Sequence, residues 1–62
     1  MGKEIKARIL VVDDEEPIRD LLRYLLEEHG YEVVVAKDGQ EGLKTFFATQ
    51  PHMVLLDVLM PG

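Results

Sequence analysis

Four acids, Asp13, Asp14, Glu15 and Glu16, follow directly on the apolar run of residues 9–12. Adjacent carboxylates repel one another and stabilise nothing by themselves. A further aspartate, Asp57, closes a second apolar stretch, MVLLD at 53–57. Were these two stretches neighbouring parallel strands, ~4.8 Å apart, their terminal aspartates would converge above one sheet edge. Ligands of open α/β sheets bind at that carboxyl edge. A hard divalent cation relieves the repulsion: Mg²⁺ takes oxygen ligands and is commonly held by one or two carboxylates plus a phosphate. Such an ion offsets phosphoryl charge while a carboxylate attacks phosphorus. Aspartate is a known nucleophile of this kind and gives an aspartyl phosphate. The plainer explanation is structural. Aspartate after a strand often caps a helix, and glutamate is ordinary in a first turn. Alone, Asp13 and Asp14 are better explained that way; together with Asp57 they form a constellation.

The elements that must position these acids are legible from periodicity. RILVV at 8–12 is short, apolar and without polar alternation, as suits a strand covered on both faces. Ile18, Leu21, Leu22, Leu25 and Leu26 then recur at helical spacing. Pro17 suits the first turn of that helix, Glu15 and Glu16 its positive end, and Gly30 its left-handed termination. Arg19, Arg23, Glu27 and Glu28 are expected on its solvated face. YEVVVA at 31–36 is a second strand. A second helix is expected over 40–49, started by Asp38 or Gly39, with Leu43, Phe46 and Phe47 on its apolar face. Gly42 inside it costs ~1 kcal/mol relative to alanine. Pro51 ends it, and 53–57 is a third strand. Alternation of strand and helix implies a parallel sheet with right-handed crossovers.

At 62 residues the chain is one small unit, which buries only ~60% of its unfolded surface. A hydrophobic content of 47% argues against disorder. The absence of cysteine excludes disulfides and thiolate metal sites and accords with a reducing, cytoplasmic setting. A net charge of −5 with scattered lysines and arginines argues against nucleic-acid binding by this segment. No apolar run approaches a membrane span, and residues 1–7 are expected to form a solvated lead-in.

The residues ILVVDDEEPIRDLLRYLLEEHGYEVVVAKDGQEGL and PHMVLLDVLMPG resemble the receiver domain of bacterial response regulators. The resemblance covers residues 8–62. It implies a three-stranded βαβαβ parallel sheet in the order 2-1-3, half of a flavodoxin-like receiver fold, completed by self-association or by a partner. It implies Asp57 as phosphoacceptor and Asp14 as principal Mg²⁺ ligand. Asp13 would assist directly or through water, with Asp57 itself and the Leu59 backbone carbonyl as further ligands. It implies a histidine kinase or phosphotransfer protein as phosphoryl source. The family's Ser/Thr after a fourth strand and Lys after a fifth have no counterpart in these 62 residues. Lys37 matches neither and is expected to be a surface charge. Gly42 stands where the family tends to have alanine.

Three function classes are compatible with these residues. The first is a signalling segment that binds Mg²⁺ and accepts phosphate at Asp57. The second is a phosphorylation-incompetent half-domain that assembles through the exposed edge of its third strand, residues 53–57. The third is an Asp-nucleophile phosphatase or phosphotransferase, and it is weakest. Such enzymes place a second aspartate near the nucleophile, whereas Val58 and Leu59 come after Asp57. His29 and His52 are expected to be surface residues rather than ligands or phosphoryl carriers.

Overall fold

The computed structural model describes residues 7–56. Its order is β1 (Arg8–Val12), α1 (Glu16–Glu28), β2 (Glu32–Ala36), α2 (Gly39–Thr49) and β3 (Met53–Leu56). The three strands form one parallel sheet in the order β2-β1-β3. This is part of a flavodoxin-like receiver fold, with the strand order that the resemblance implied. β1 is central and carries the core. Ile9, Leu10, Val11 and Val12 are all buried, as expected of an apolar run that must satisfy both faces.

Local chemistry sets the helix ends. Pro17 stands in the first turn of α1, where its missing N–H costs nothing. At the other end Gly30 has φ 91°, its N–H bonds Glu27 O, and the Tyr31 N–H bonds Leu26 O. That pair of bonds is the Schellman arrangement and fixes the sharp exit into β2. Asp38 caps α2: its Oδ1 accepts the Glu41 N–H at 2.8 Å. Glu41 Oε1 in turn accepts the Lys37 N–H at 2.7 Å. Glu41 thus reaches back to the residue before the cap, one short of the reciprocal bond to Asp38 N–H that D-x-x-E spacing allows. α2 closes on Gln50 at φ 50°, and Pro51 blocks continuation.

Strand alternation assigns the two faces. Leu10, Val12, Val34 and Ala36 form the core on the face that α2 covers. Gly42 is the point of closest approach. A Cβ there would lie 3.0 Å from Val12 Cγ2 and 3.9 Å from the Ala36 Cβ. Gly42 is therefore a packing residue, and its propensity cost is offset by helix–sheet contact. α1 packs on β1 and β2 from the Ile9/Val11 side, with Leu22 and Leu26 half-buried.

Two apolar faces differ from expectation. Only Leu22 and Leu26 of the α1 stripe are half-buried, while Ile18, Leu21 and Leu25 stay exposed. On α2, Leu43, Phe46 and Phe47 are exposed, Phe47 at 69%, and the two phenyl rings meet edge to face at 5.4 Å. The cause is common to both. Among the described residues the backbone of neither helix packs over β3, so each stripe is wider than the sheet surface beneath it. Met53 is 54% and Leu56 57% exposed.

The two classes of apolar residue should respond differently to truncation. Leu10→Ala is expected to remove about 2–5 kcal/mol, enough to unfold a chain this small. Phe47→Ala should change stability by about 0.5 kcal/mol or less. Thermal unfolding followed by circular dichroism checks both; a large loss at Phe47 would show that the helix presents a different face to the sheet.

Candidate functional site

The register aligns the carboxyl ends of β1 and β3. Val12 pairs with Leu56 in parallel alignment, and on the other side with Ala36. Asp13 and Asp57 are thus the next residues in sequence after a paired Val12 and Leu56. Asp57 and Leu59 themselves lie outside the described residues. Of the expected ligands, Asp13 and Asp14 can be placed.

These two aspartates are not equivalent. Asp13 is 5% exposed and held at three points. Its N–H donates to the Ala36 carbonyl at 3.1 Å, which carries the β1–β2 ladder one residue past the strand. Its Oδ1 accepts the Glu15 N–H at 2.9 Å. Its carbonyl accepts from Arg19 Nη1 at 2.8 Å. Asp14 is exposed, and no hydrogen bond or ion pair among the described residues engages its side chain. The helix N-cap is neither of them. It is Glu15, and its side chain makes no capping bond. The capping explanation therefore accounts for one oxygen of Asp13, which ties the turn before α1, and for nothing at Asp14.

Arg19 was expected on the solvated face and instead is half-buried over this turn. Nothing in its spacing marked it, although a cation near the positive end of a helix dipole is unfavourable and asks for a compensating contact. The opposite sheet edge holds the structural histidine. His52 Nδ1 accepts the Arg8 N–H at 3.0 Å, and its own N–H donates to Arg8 O at 2.8 Å. Arg8 also reaches the Thr49 carbonyl and lies 3.1 Å from Glu32. His29 Nδ1 lies 2.8 Å from Leu25 O at the end of α1, and Lys37 is exposed. Lys37 follows Ala36 at the same sheet edge as Asp13, but among the described residues none of these side chains bonds Asp13 or Asp14.

Beside Asp13 an open groove of about 420 Å³ runs between α1 and β3, lined by Val11, Ile18, Leu22, Leu55 and others. A second, of about 290 Å³, lies across the sheet between α2 and β3 and includes Val54 and Phe46. Both are mainly apolar; Asp13 and Glu15 are the charged members of the first.

Among the described residues no three acidic or imidazole side chains converge as a complete metal centre. The donors present nonetheless fit a hard cation in kind. One carboxylate is fixed and another is unengaged at the edge where the strands end, and no imidazole or thiolate joins them. Mg²⁺ is held by such a partial protein set, with water and phosphate oxygens supplying the rest.

Comparison with known proteins decides the family. Residues 9–62 match the response regulator receiver domain. The chain belongs to that family. It is also 52% identical over 57 residues to the alkaline phosphatase synthesis transcriptional regulatory protein PhoP of Bacillus subtilis (strain 168). The match covers 92% of this chain and 24% of that relative. The chain thus spans about a quarter of the length of the relative it matches. As a receiver segment it belongs to the response regulators of two-component signalling. Among the described residues no helix is long and apolar enough to cross a membrane.

The asymmetry of the pair makes a separable prediction. Asp13→Ala leaves the Glu15 N–H without its acceptor and should lower stability by about 1 kcal/mol, while Asp13→Asn keeps the acceptor and most of that stability. Asp14→Asn should leave stability unchanged or slightly raise it, since it removes a like charge. Urea titrations of the three variants check this; equal losses at Asp13→Ala and Asp14→Asn would contradict it.

Proposed function

We propose that this receiver segment works in cytoplasmic phosphorelay signalling and carries the phosphoacceptor at Asp57. Mg²⁺ would be held by Asp13, Asp14, Asp57 and the backbone carbonyl of Leu59. The observation that carries the proposal is the Val12–Leu56 pairing. It supports bringing the acids just after β1 close to the acid just after β3.

The chemistry is a single displacement. An Asp57 carboxylate oxygen attacks phosphorus of a phosphohistidine on a histidine kinase or phosphotransfer protein. The P–N bond breaks, the donor imidazole keeps the electron pair and takes a proton, and an acyl phosphate forms on Asp57. Bound Mg²⁺ would supply charge neutralisation for the phosphoryl oxygens. Asp13, buried and triply anchored, would provide a fixed oxygen for that ion. Asp14 provides the unengaged carboxylate. The chain is then a phosphoryl acceptor rather than an enzyme, capable at most of self-phosphorylation from small donors.

The exposure of β3 favours a second element of the proposal. Met53, Val54 and Leu56 are exposed on an edge strand that no described helix covers. Such an edge is a template for pairing with another chain. The 62-residue chain is proposed to self-associate through this edge, residues 53–57.

Incubation with acetyl phosphate and Mg²⁺ tests the phosphoacceptor. Mass spectrometry should show a gain of one phosphoryl group, absent without Mg²⁺ and absent in Asp57→Asn. No gain, under conditions that label an intact receiver domain, would refute activity in this segment. Sedimentation equilibrium tests association. A mass that rises with concentration, and falls back in Val54→Lys, is expected; a stable monomer at all concentrations would contradict it.

A further inference from the structure

No hydrogen bond or ion pair among the described residues engages the Asp14 side chain, yet both peptide groups that flank it are fixed. The peptide after it is held through the Glu15 N–H, which donates to Asp13 Oδ1 at 2.9 Å. The peptide before it is held through the Asp13 carbonyl, which accepts from Arg19 Nη1 at 2.8 Å. A peptide is planar from one Cα to the next. Orienting the Asp13 carbonyl therefore orients the plane that ends on the Asp14 Cα.

Arg19 does this from an awkward place. It lies in the second turn of α1, close to the positive end of the helix dipole, where a cation is disfavoured. Its side chain nevertheless folds back, half-buried, over the β1–α1 turn. Among the described residues it is the one basic side chain bonded to that turn. Four acids, Asp13 to Glu16, follow Val12 in succession, so a cation bonded to the turn offsets like-charge repulsion there.

We propose that Arg19 is a positioning residue for the divalent-cation site: by holding the Asp13 carbonyl it sets the direction in which Asp14 presents its carboxylate. This rests on the Mg²⁺ site proposed above. It is distinct from a purely electrostatic role and opposite in sign. If Arg19 acted only as a nearby positive charge, removing it would tighten cation binding. If it positions Asp14, removing it weakens binding, as loss of an outer partner of a metal ligand does, on the order of tenfold.

Mg²⁺ titration of the 62-residue chain, by calorimetry, separates these outcomes. The unsubstituted chain should bind, and Asp14→Asn should abolish binding. Arg19→Ala should bind on the order of tenfold more weakly. Arg19→Lys, which retains a donor able to reach a carbonyl, should fall between. In the metal-free protein the Glu15 amide should exchange with solvent faster in Arg19→Ala. Should Arg19→Ala fail to fold by circular dichroism, Arg19→Gln and Arg19→Lys carry the comparison. Equal or tighter binding by the Arg19 variants overturns the proposal, as does a lowered unfolding temperature with unchanged affinity. No binding by the unsubstituted chain defeats the magnesium site itself, and the Arg19 role with it.

Discussion

The pairing of β1 with a parallel strand on each side is the constraint on which everything else rests. A strand in that position has no solvated face, so residues 9–12 must be apolar throughout, and they are all buried. Parallel neighbours also end at the same edge. The chain therefore leaves the core at Val12, Ala36 and Leu56 together, as the register requires. That register ends all three strands at one edge, where Asp13 and Asp14 follow β1 directly. Asp13 and Asp14 could not hold each other there, since like charges repel; the strand and the turn after it place them.

The same edge divides labour between two adjacent aspartates. Asp13 continues the β1–β2 ladder, closes the turn to Glu15 and receives Arg19 through its carbonyl. Its backbone N–H, its carbonyl and one carboxylate oxygen are all bonded, which offsets part of the cost of burying it. Asp14 is left out of this scaffolding and is exposed. One residue builds the platform and the next stands on it.

The uncovered side of β3 has the opposite character. Met53, Val54 and Leu56 are exposed, the two flanking grooves are mainly apolar, and the α1 and α2 stripes run on towards them. Pattern reasoning on a sequence assigns apolar residues to a helix face but cannot know how much surface lies beneath that face. This is why Ile18, Leu21, Leu25, Leu43 and Phe47 were legible as a stripe and not as exposed. The strand order came from family resemblance, and the helix ends from Pro17, Gly30 and Asp38. Arg19 was not legible, because a side chain reaching back to a backbone carbonyl leaves no periodicity. Gly42 read as a weakness; only the distance to Val12 reveals a close approach.

The central claim is that the ends of β1 and β3 form one cation site at a single sheet edge. Substituting Mn²⁺ for Mg²⁺ and monitoring amide line broadening by NMR tests it directly. Sub-stoichiometric Mn²⁺ should broaden the amides of Val12 to Glu15 together with those at the end of β3. Those of Arg8 and His52, at the opposite edge, should stay sharp. Broadening spread over exposed carboxylates such as Asp20, Glu27 and Glu28, without preference for that edge, would contradict the account.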